Sequence, residues 1–382
     1  MIIGIDASNV TSGGGLTHCL ELLKTFKTNK HGIKKIIIWG NQYTLDKLPN
    51  KKNILKKNHF LLNQNFLFRF FWNLIVLKNS LKNENCDALL VLGGYFFTSS
   101  IPTIVMCQNM LCFDEKERSN FGFSIQRLKL YALSYLQKKS FLKSNGIIFL
   151  SKYAKKYVSK KLSLKNKPSI IIPHGIEKRF FVNSNNIKNL NTKNKLIKAI
   201  YISKVDMYKH QWNVVEAISI ARKKGINIKL EIVGGFYRPA MRKLKKKLLK
   251  IKDSKTFVKY RGEVSHRKLH NYYKNKDLII FASSCENLPI ILLEGMATFL
   301  PIISSKLGPM PEILKKNAYY FNPYSVNSIY KAIDNIYRNQ EDRKKFPKLL
   351  RKEANKYNWK HTSESTFQFV NSIIKRNTKI YK

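Results

Sequence analysis

A chain of 382 residues exceeds what one ordinary hydrophobic core supports, so two domains are expected. Hydrophobic residues make up 44% and aromatic ones 12%, which excludes a chain disordered throughout. Seventy-one Lys and Arg against 23 Asp and Glu leave a net charge of +48; this favours polyanions such as nucleic acid or an anionic membrane face, although a Lys, Asn and Ile bias can also arise from nucleotide composition alone.

The N-terminus, Met1-Ile2-Ile3-Gly4-Ile5-Asp6, lacks the basic segment and long apolar core of a signal peptide and reads as a first strand over residues 2–5. A turn containing Gly13, Gly14 and Gly15 follows, then a helical pattern over residues 16–26. Strand, glycine-rich turn, helix is an arrangement in which the backbone can approach a phosphate closely. His18 reads as a packing or capping residue. Residues 35–39 are the second strand. Residues 59–81 are dense in aromatic and aliphatic side chains, broken by Asn63, Gln64, Asn65, Arg69 and Asn73. Two readings stay open there: a buried helix, or an interfacial helix presenting Phe66, Phe70, Phe71 and Trp72 to lipid. Further strands are expected at 88–92 and 102–107, the latter ending in Gln108, Asn109 and Asp114. An amphipathic helix spans 127–143, a strand 146–150, and a strand from 169 closes at Pro173-His174-Gly175-Ile176.

Residues 183–195 show no apolar periodicity and read as a linker. The second domain opens with a strand over 198–203 that delivers Lys204 and Lys209 ahead of a helix over 212–222. Two lysines five apart at a strand end suit neutralisation of a diphosphate. Strands follow at 229–233, ending in Gly234-Gly235, and at 258–260, ending in Arg261-Gly262-Glu263-Val264. The five cysteines, at 19, 86, 107, 112 and 285, are odd in number and contain no C-x-x-C. That argues for a reducing compartment and against a structural zinc site. No apolar run reaches the ~20 residues that span a bilayer, so a cytoplasmic or peripheral protein is expected.

The most informative stretch is residues 278–314. An apolar run at 278–282 reads as a buried parallel strand. The loop Ser284-Cys285-Glu286-Asn287-Leu288 follows, with Pro289 as a first helical residue and a helix over 290–299 carrying Glu294. In an open α/β sheet a ligand sits beyond the carboxyl ends of the strands, where Glu286 lies. Carboxylates there can grip the hydroxyls of a polyol, and the N–H groups near Asn287 to Ile290 favour a phosphate or hydroxyl.

Embedded as E-N-L-P-I-I-L-L-E-G-M-A, this segment resembles the E-x7-E donor signature of retaining GT-B glycosyltransferases of the family 4 type. The resemblance covers nearly the whole chain and is strongest over residues 197–325. It implies two Rossmann-like α/β/α domains facing a central cleft: residues 1–182, a linker at 183–196, and residues 197–359, with a terminal helix at 360–382 crossing back to the first domain. It further implies that Glu286 faces the donor sugar, that Glu294 holds the ribose, and that Asn287, Leu288 and Pro289 flank the donor. Lys204 and Lys209 then meet the diphosphate, Lys204 standing where the family commonly has Arg. Gly14 and Gly15 face the diphosphate from the first domain, and the base is read by backbone near Gly262 and Val264. Many members carry a histidine near residue 108; here Gln108, Asn109 and Asp114 are candidates for acceptor or donor hydroxyls. Pro173-His174-Gly175-Ile176 matches the family turn at the close of the first domain.

The expected reaction moves a sugar from a nucleotide-diphosphate sugar to an acceptor hydroxyl with retention, without a metal. The expected partners are a glycan or lipid-linked glycan, as in lipopolysaccharide, O-antigen or capsule assembly, and an anionic membrane surface. Alternatives are a GT-B relative such as a nucleotide-sugar 2-epimerase, a basic nucleic-acid-binding protein, or a non-catalytic membrane protein.

Overall fold

The computed structural model describes residues 1–97, 100–181 and 196–380, without the side chains of 378–380. Apart from residue 196, the expected linker at 183–196 lies outside the described residues. The chain divides into two compact units, one made of Met1–Arg118, Gly122–Gly175 and Asn358–Lys382, the other of Ser119–Phe121 and Ile176–Tyr357. Residues 176–181 thus cluster with the second unit.

Unit one holds seven strands: β1 (Ile2–Asp6), β2 (Lys35–Trp39), β3 (Ile54–Lys57), β4 (Ala88–Leu92), β5 (Thr103–Met106), β6 (Gly146–Phe149) and β7 (Ser169–Ile171). Their order is β3-β2-β1-β4-β5-β6-β7, every pairing parallel. Parallel strands are covered on both faces, which is why runs such as Ala88–Leu92 are apolar and buried at every position. The sequence order reverses between β1 and β4, so the switch point of this sheet lies where the loops after those two strands meet. The edge strand β3, which the sequence reading missed, carries Lys56 and Lys57, the charged character expected where one side of a strand is unpaired.

Unit two holds β8 (Ile197–Ile202), β9 (Ile228–Val233), β10 (Val258–Tyr260), β11 (Leu278–Phe281), β12 (Ile302–Ser305) and β13 (Tyr319–Phe321). They are ordered β10-β9-β8-β11-β12-β13, again all parallel. The switch point here falls between β8 and β11, which pair at Leu278 with Ala199 and Ile279 with Ile200. None of the five cysteines forms a disulfide, and all are buried. Among the described residues no helix is long and apolar enough to cross a membrane.

Residues 59–81 match neither expectation as a whole. A 3-10 turn at Phe60–Asn63 leads to a helix at Phe66–Phe71, a π-helical turn at Trp72–Val76 and a helix at Leu77–Asn83. Trp72, Leu77 and Leu81 are buried, while Leu67, Phe71 and Ile75 are exposed.

The terminal helix, Trp359–Ile380, packs on the first unit. Ser363 Oγ donates to Leu22 O at 3.0 Å, Thr362 Oγ1 to Pro173 O at 2.8 Å, and Phe367 meets Phe26 at 4.9 Å between ring centroids. At its start a buried trio forms: His18 Nδ1 and His174 Nδ1 lie 2.8 Å apart, with both rings edge-on or tilted to Trp359. One ring must donate and the other accept, so the contact is lost once both rings are protonated. Burial lowers His18 from 6.5 to about 4, and burial together with the neighbouring ring holds His174 well below the ordinary value. Each folded-state value lies below the unfolded one, so this stability is complete above 6.5 and is lost as pH falls through the folded values. His18 alone contributes on the order of 3 kcal/mol to that slope. We expect melting temperature to fall between pH 7 and pH 4.5, and His174→Gln to flatten the dependence; a variant as acid-sensitive as wild type would remove the pair as its cause.

Candidate functional site

The β8–β11 switch point gathers the residues singled out in the second half of the sequence. After β8 the chain runs through Ser203 to Asp206 and a 3-10 turn at Met207–Lys209 into the helix Gln211–Lys223. After β11 it runs through Ser283 to Pro289 into the helix Ile290–Met296. The two loops are stitched together: Ser284 N donates to Tyr208 O at 2.8 Å, and His210 Nε2 lies 2.8 Å from Ser284 Oγ. Tyr201, buried beneath, donates its hydroxyl to Lys209 O at 2.7 Å.

Across this seam the Lys209 ammonium donates directly to Glu286 Oε1, and both side chains are nearly buried. A buried lysine needs such a partner. An ammonium has three N–H donors, so Lys209 can keep Glu286 and still offer donors to a phosphate. Lys204 is placed differently. Its side chain is 55% exposed and its Nζ lies 3.4 Å from Asp206 Oδ2. It is a solvated charge at the rim, while Lys209 is fixed in position.

Glu294 is 1% exposed, pointing inward from Ile290–Met296. Its Oε1 lies 2.6 Å from His266 Nε2, and its Oε2 is buried with no hydrogen-bond partner among the described residues. His266 in turn places Nδ1 3.4 Å from Glu177 Oε1 and 3.1 Å from an Arg179 nitrogen. Burial lowers the His266 value, but the Glu294 hydrogen bond and the Glu294 and Glu177 charges outweigh it, and the net direction is up. Glu294 also moves up, because burial outweighs its bond to His266. The pair therefore holds its shared proton to higher pH than either free group. One carboxylate oxygen is anchored and the other is left as an acceptor.

The loops after β9 and β10 close the same end of the sheet. Gly234 N donates to Gly262 O at 2.8 Å, Tyr260 Oη donates to Gly234 O at 2.7 Å, and Val205 N donates to Gly235 O at 2.8 Å. Gly234 has φ +143, and a Cβ there would lie 2.3 Å from Ser203 O, so only glycine lets these loops meet. One lone pair of the Gly262 carbonyl thus serves loop lacing, and Val264 is half-buried beside it.

Asn287 and Leu288 are buried in the loop, but Pro289 is the N-cap and not the first helical residue. The helix expected over 290–299 stops at Met296. Thr298 Oγ1 turns back to Gly295 O at 2.7 Å and Phe299 adopts φ +59, so the dipole behind Asn287 to Ile290 comes from a short helix.

In unit one, Gly14 and Gly15 lie in the first turn of the helix Gly13–Thr25. The position a Gly15 Cβ would take is 3.0 Å from Gln108 Oε1, and the equivalent point on Gly93 is 2.7 Å from it. Gln108 therefore sits over the β1–β4 switch point with the glycine turn. Asn109 and Asp114 are engaged elsewhere: Asn109 Oδ1 accepts Leu111 N at 3.0 Å and Asp114 Oδ1 accepts Glu117 N at 3.0 Å, both capping short helices. Of the three candidates for hydroxyl binding, the structure brings only Gln108 to the glycine turn.

The glycosyl transferases group 1 family model matches residues 182–353. Those residues are a group 1 glycosyltransferase domain. The chain is 24% identical over 356 residues to an uncharacterized glycosyltransferase of Haemophilus influenzae, covering 89% of this chain and 91% of that protein. It is 24% identical over 240 residues to the amylovoran biosynthesis glycosyltransferase AmsD of Erwinia amylovora, covering 62% of this chain and 63% of AmsD. Among solved structures it resembles Anabaena HepE in complex with UDP and glucose, with a TM-score of 0.68 at 13% identity over 100% of this chain and 99% of that one. The fold is GT-B, built from two Rossmann-like domains.

Sequence reasoning missed the support behind Glu294 in this domain. His266 lies two residues past Val264, in a stretch with no motif of its own, and Glu177 directly follows the Pro173-His174-Gly175-Ile176 turn. Among the described residues no group of three or more His, Cys, Asp or Glu is placed to hold a metal.

Proposed function

We propose that the protein is a retaining hexosyltransferase that moves a sugar from a nucleotide-diphosphate sugar to a hydroxyl of a glycan or lipid-linked glycan. The observation that carries this reading is the pairing, at one switch point, of a buried cation held by Glu286 with a buried Glu294 whose second oxygen has no partner. A nucleoside diphosphate is both an anion and a diol, and these two features match its two ends.

As the bond from the anomeric carbon to the diphosphate oxygen breaks, negative charge grows on the leaving group. Lys209, aided by Lys204 at the rim, stabilises that charge more than it stabilises the intact donor. The acceptor oxygen bonds to the anomeric carbon on the face the diphosphate leaves. Its proton passes to a leaving phosphate oxygen, so no separate protein base is required. Glu286 orients the sugar, Glu294 holds the ribose, and Asn287, Leu288 and Pro289 wall the donor. Gly14 and Gly15 are assigned to the diphosphate and Gln108 to a hydroxyl of the acceptor. The lysines meet the diphosphate charge, so the step is proposed to need no metal. The amylovoran role of AmsD favours a place in surface-polysaccharide assembly, such as lipopolysaccharide, O-antigen or capsule, at the cytoplasmic face of the membrane.

Thermal stabilisation by UDP, GDP, ADP and their sugar conjugates in EDTA tests the donor site. One nucleotide is expected to stabilise selectively, and Glu294→Ala to weaken its binding about 10- to 100-fold, the usual cost of losing a hydrogen bond to a charged group. Equal stabilisation by every polyanion, unchanged in Glu294→Ala, would reduce the site to a basic surface.

A further inference from the structure

The helix Ile125–Lys143 buries a polar stripe and exposes an apolar one. Its buried face carries Ser134, Gln137 and Ser140, whose polar atoms are met by neighbouring backbone: Ser134 Oγ donates to Cys112 O, Gln137 Nε2 to Gly93 O at 3.1 Å, and Ser140 Oγ to Phe96 O at 3.1 Å. Leu130 and Phe141 are buried beside them, while most of the helix's other apolar residues face outward. Ile125 is 73% exposed and Leu128 70%, and Tyr131, Tyr135 and Leu142 join them on one stripe at helical spacing. An ordinary surface helix has the opposite arrangement.

A second run of exposed apolar side chains lies in the same unit. Leu67, Phe68, Phe71, Leu74 and Ile75 project from the helical segment Phe66–Val76. The two elements share one support, the loop after β4. Phe97 packs edge-on to Phe70 at 4.9 Å between centroids, and Phe96 N donates to Ser140 Oγ at 3.0 Å. Both are basic without any acid: residues 122–143 contain five Lys or Arg and no Asp or Glu, and residues 59–83 contain three and none. On the helix, Lys139 lies 4.4 Å from the Tyr135 ring centroid and Arg127 5.6 Å from that of Tyr131, cation beside aromatic.

We infer that these two elements form a docking face for an anionic lipid bilayer. Aliphatic and aromatic side chains enter the boundary of the acyl region while the flanking lysines and arginines remain at the headgroups. Charge decides between occupants. A second copy would bring the same acid-free surface, on a chain of net charge +48, against itself. An anionic bilayer supplies apolar depth and negative charge in that order from a single surface. The inference deepens the membrane placement proposed above, yet it does not depend on nucleotide binding, so either can fail alone.

The test is co-sedimentation of the full chain with phosphatidylcholine vesicles, with and without phosphatidylglycerol, together with light scattering in the absence of lipid. The protein is expected to bind only the anionic vesicles. Leu128→Glu with Tyr135→Glu is expected to weaken binding by roughly tenfold or more, while Lys245→Glu, which changes net charge equally from an exposed site in unit two, stays within about threefold of wild type. A lipid-free melting temperature within about 2 °C of wild type shows that the double variant is folded. Failure of the wild type to bind overturns the inference, as do equal losses in the two variants. So does a lipid-free dimer that the double substitution dissociates.

Discussion

Lys209→Ala is expected to lower kcat by about 10²–10³-fold, the range seen when one preorganised electrostatic group is removed from a developing charge. The effect should fall mainly on kcat, because the charge Lys209 meets is largest as the diphosphate departs. The substitution also strands Glu286, which is nearly buried and whose hydrogen bond is with Lys209. Removing one member of a buried pair costs about 3–5 kcal/mol, so the variant should melt lower as well. These two losses separate in a double variant. Lys209→Ala with Glu286→Ala recovers much of the melting temperature and none of the turnover. Lys204→Ala, removing a half-exposed charge paired with Asp206 at 3.4 Å, should cost about tenfold or less. Rates measured with the nucleotide sugar identified by melting decide the matter. If Lys204→Ala matches or exceeds Lys209→Ala, the buried lysine is structural and the leaving group is met elsewhere.

The strands and the donor motif were legible because both are written locally. Buried parallel strands are short apolar runs wherever they occur; Glu286, Lys204 and Lys209 each follow such a run within a few residues, and Glu294 lies on the helix that follows Glu286. β3 was missed because Ile54-Leu55-Lys56-Lys57 at a sheet edge has neither an apolar run nor clean alternation. The true end of the Ile290–Met296 helix was hidden for another reason. Ala297, Thr298 and Phe299 contain no breaker, and Arg351, 54 residues away, donates to Ala297 O beyond the last turn. His266 stayed unseen because its meaning lies in a contact with Glu294 across 28 residues. The helix Ile125–Lys143 shows the limit most clearly. Its two-faced pattern can be read from the sequence, but not which face turns inward. That is settled by carbonyls of Cys112, Gly93 and Phe96, which accept from the polar stripe and draw it into the interior.

Gly175→Ala is expected to destabilise the first unit by about 3 kcal/mol or more. The sequence places Gly175 in a turn, and the structure identifies what a side chain there would meet. Gly175 is not among the positive-φ glycines, so conformational freedom is not the reason for its presence. A Cβ there would lie 2.2 Å from Trp359 N, 2.6 Å from Trp359 Cγ and 2.7 Å from the Asn358 carbonyl carbon. Two of these three atoms are backbone, so no rotamer change relieves the clash, and the start of the terminal helix must move. That start also carries Trp359 against His18 and His174, and Thr362 bonded to Pro173 O. A shift there therefore disturbs the helix that begins with the glycine turn. At about 2–4 °C per kcal/mol for a unit of this size, the melting temperature should fall by roughly 6–12 °C. Trp359→Ala added to Gly175→Ala should give no recovery, because it removes the ring and leaves the backbone nitrogen in place. A single variant melting within about 2 °C of wild type, or rescue by Trp359→Ala, would mean that the side chain and not the backbone sets the approach.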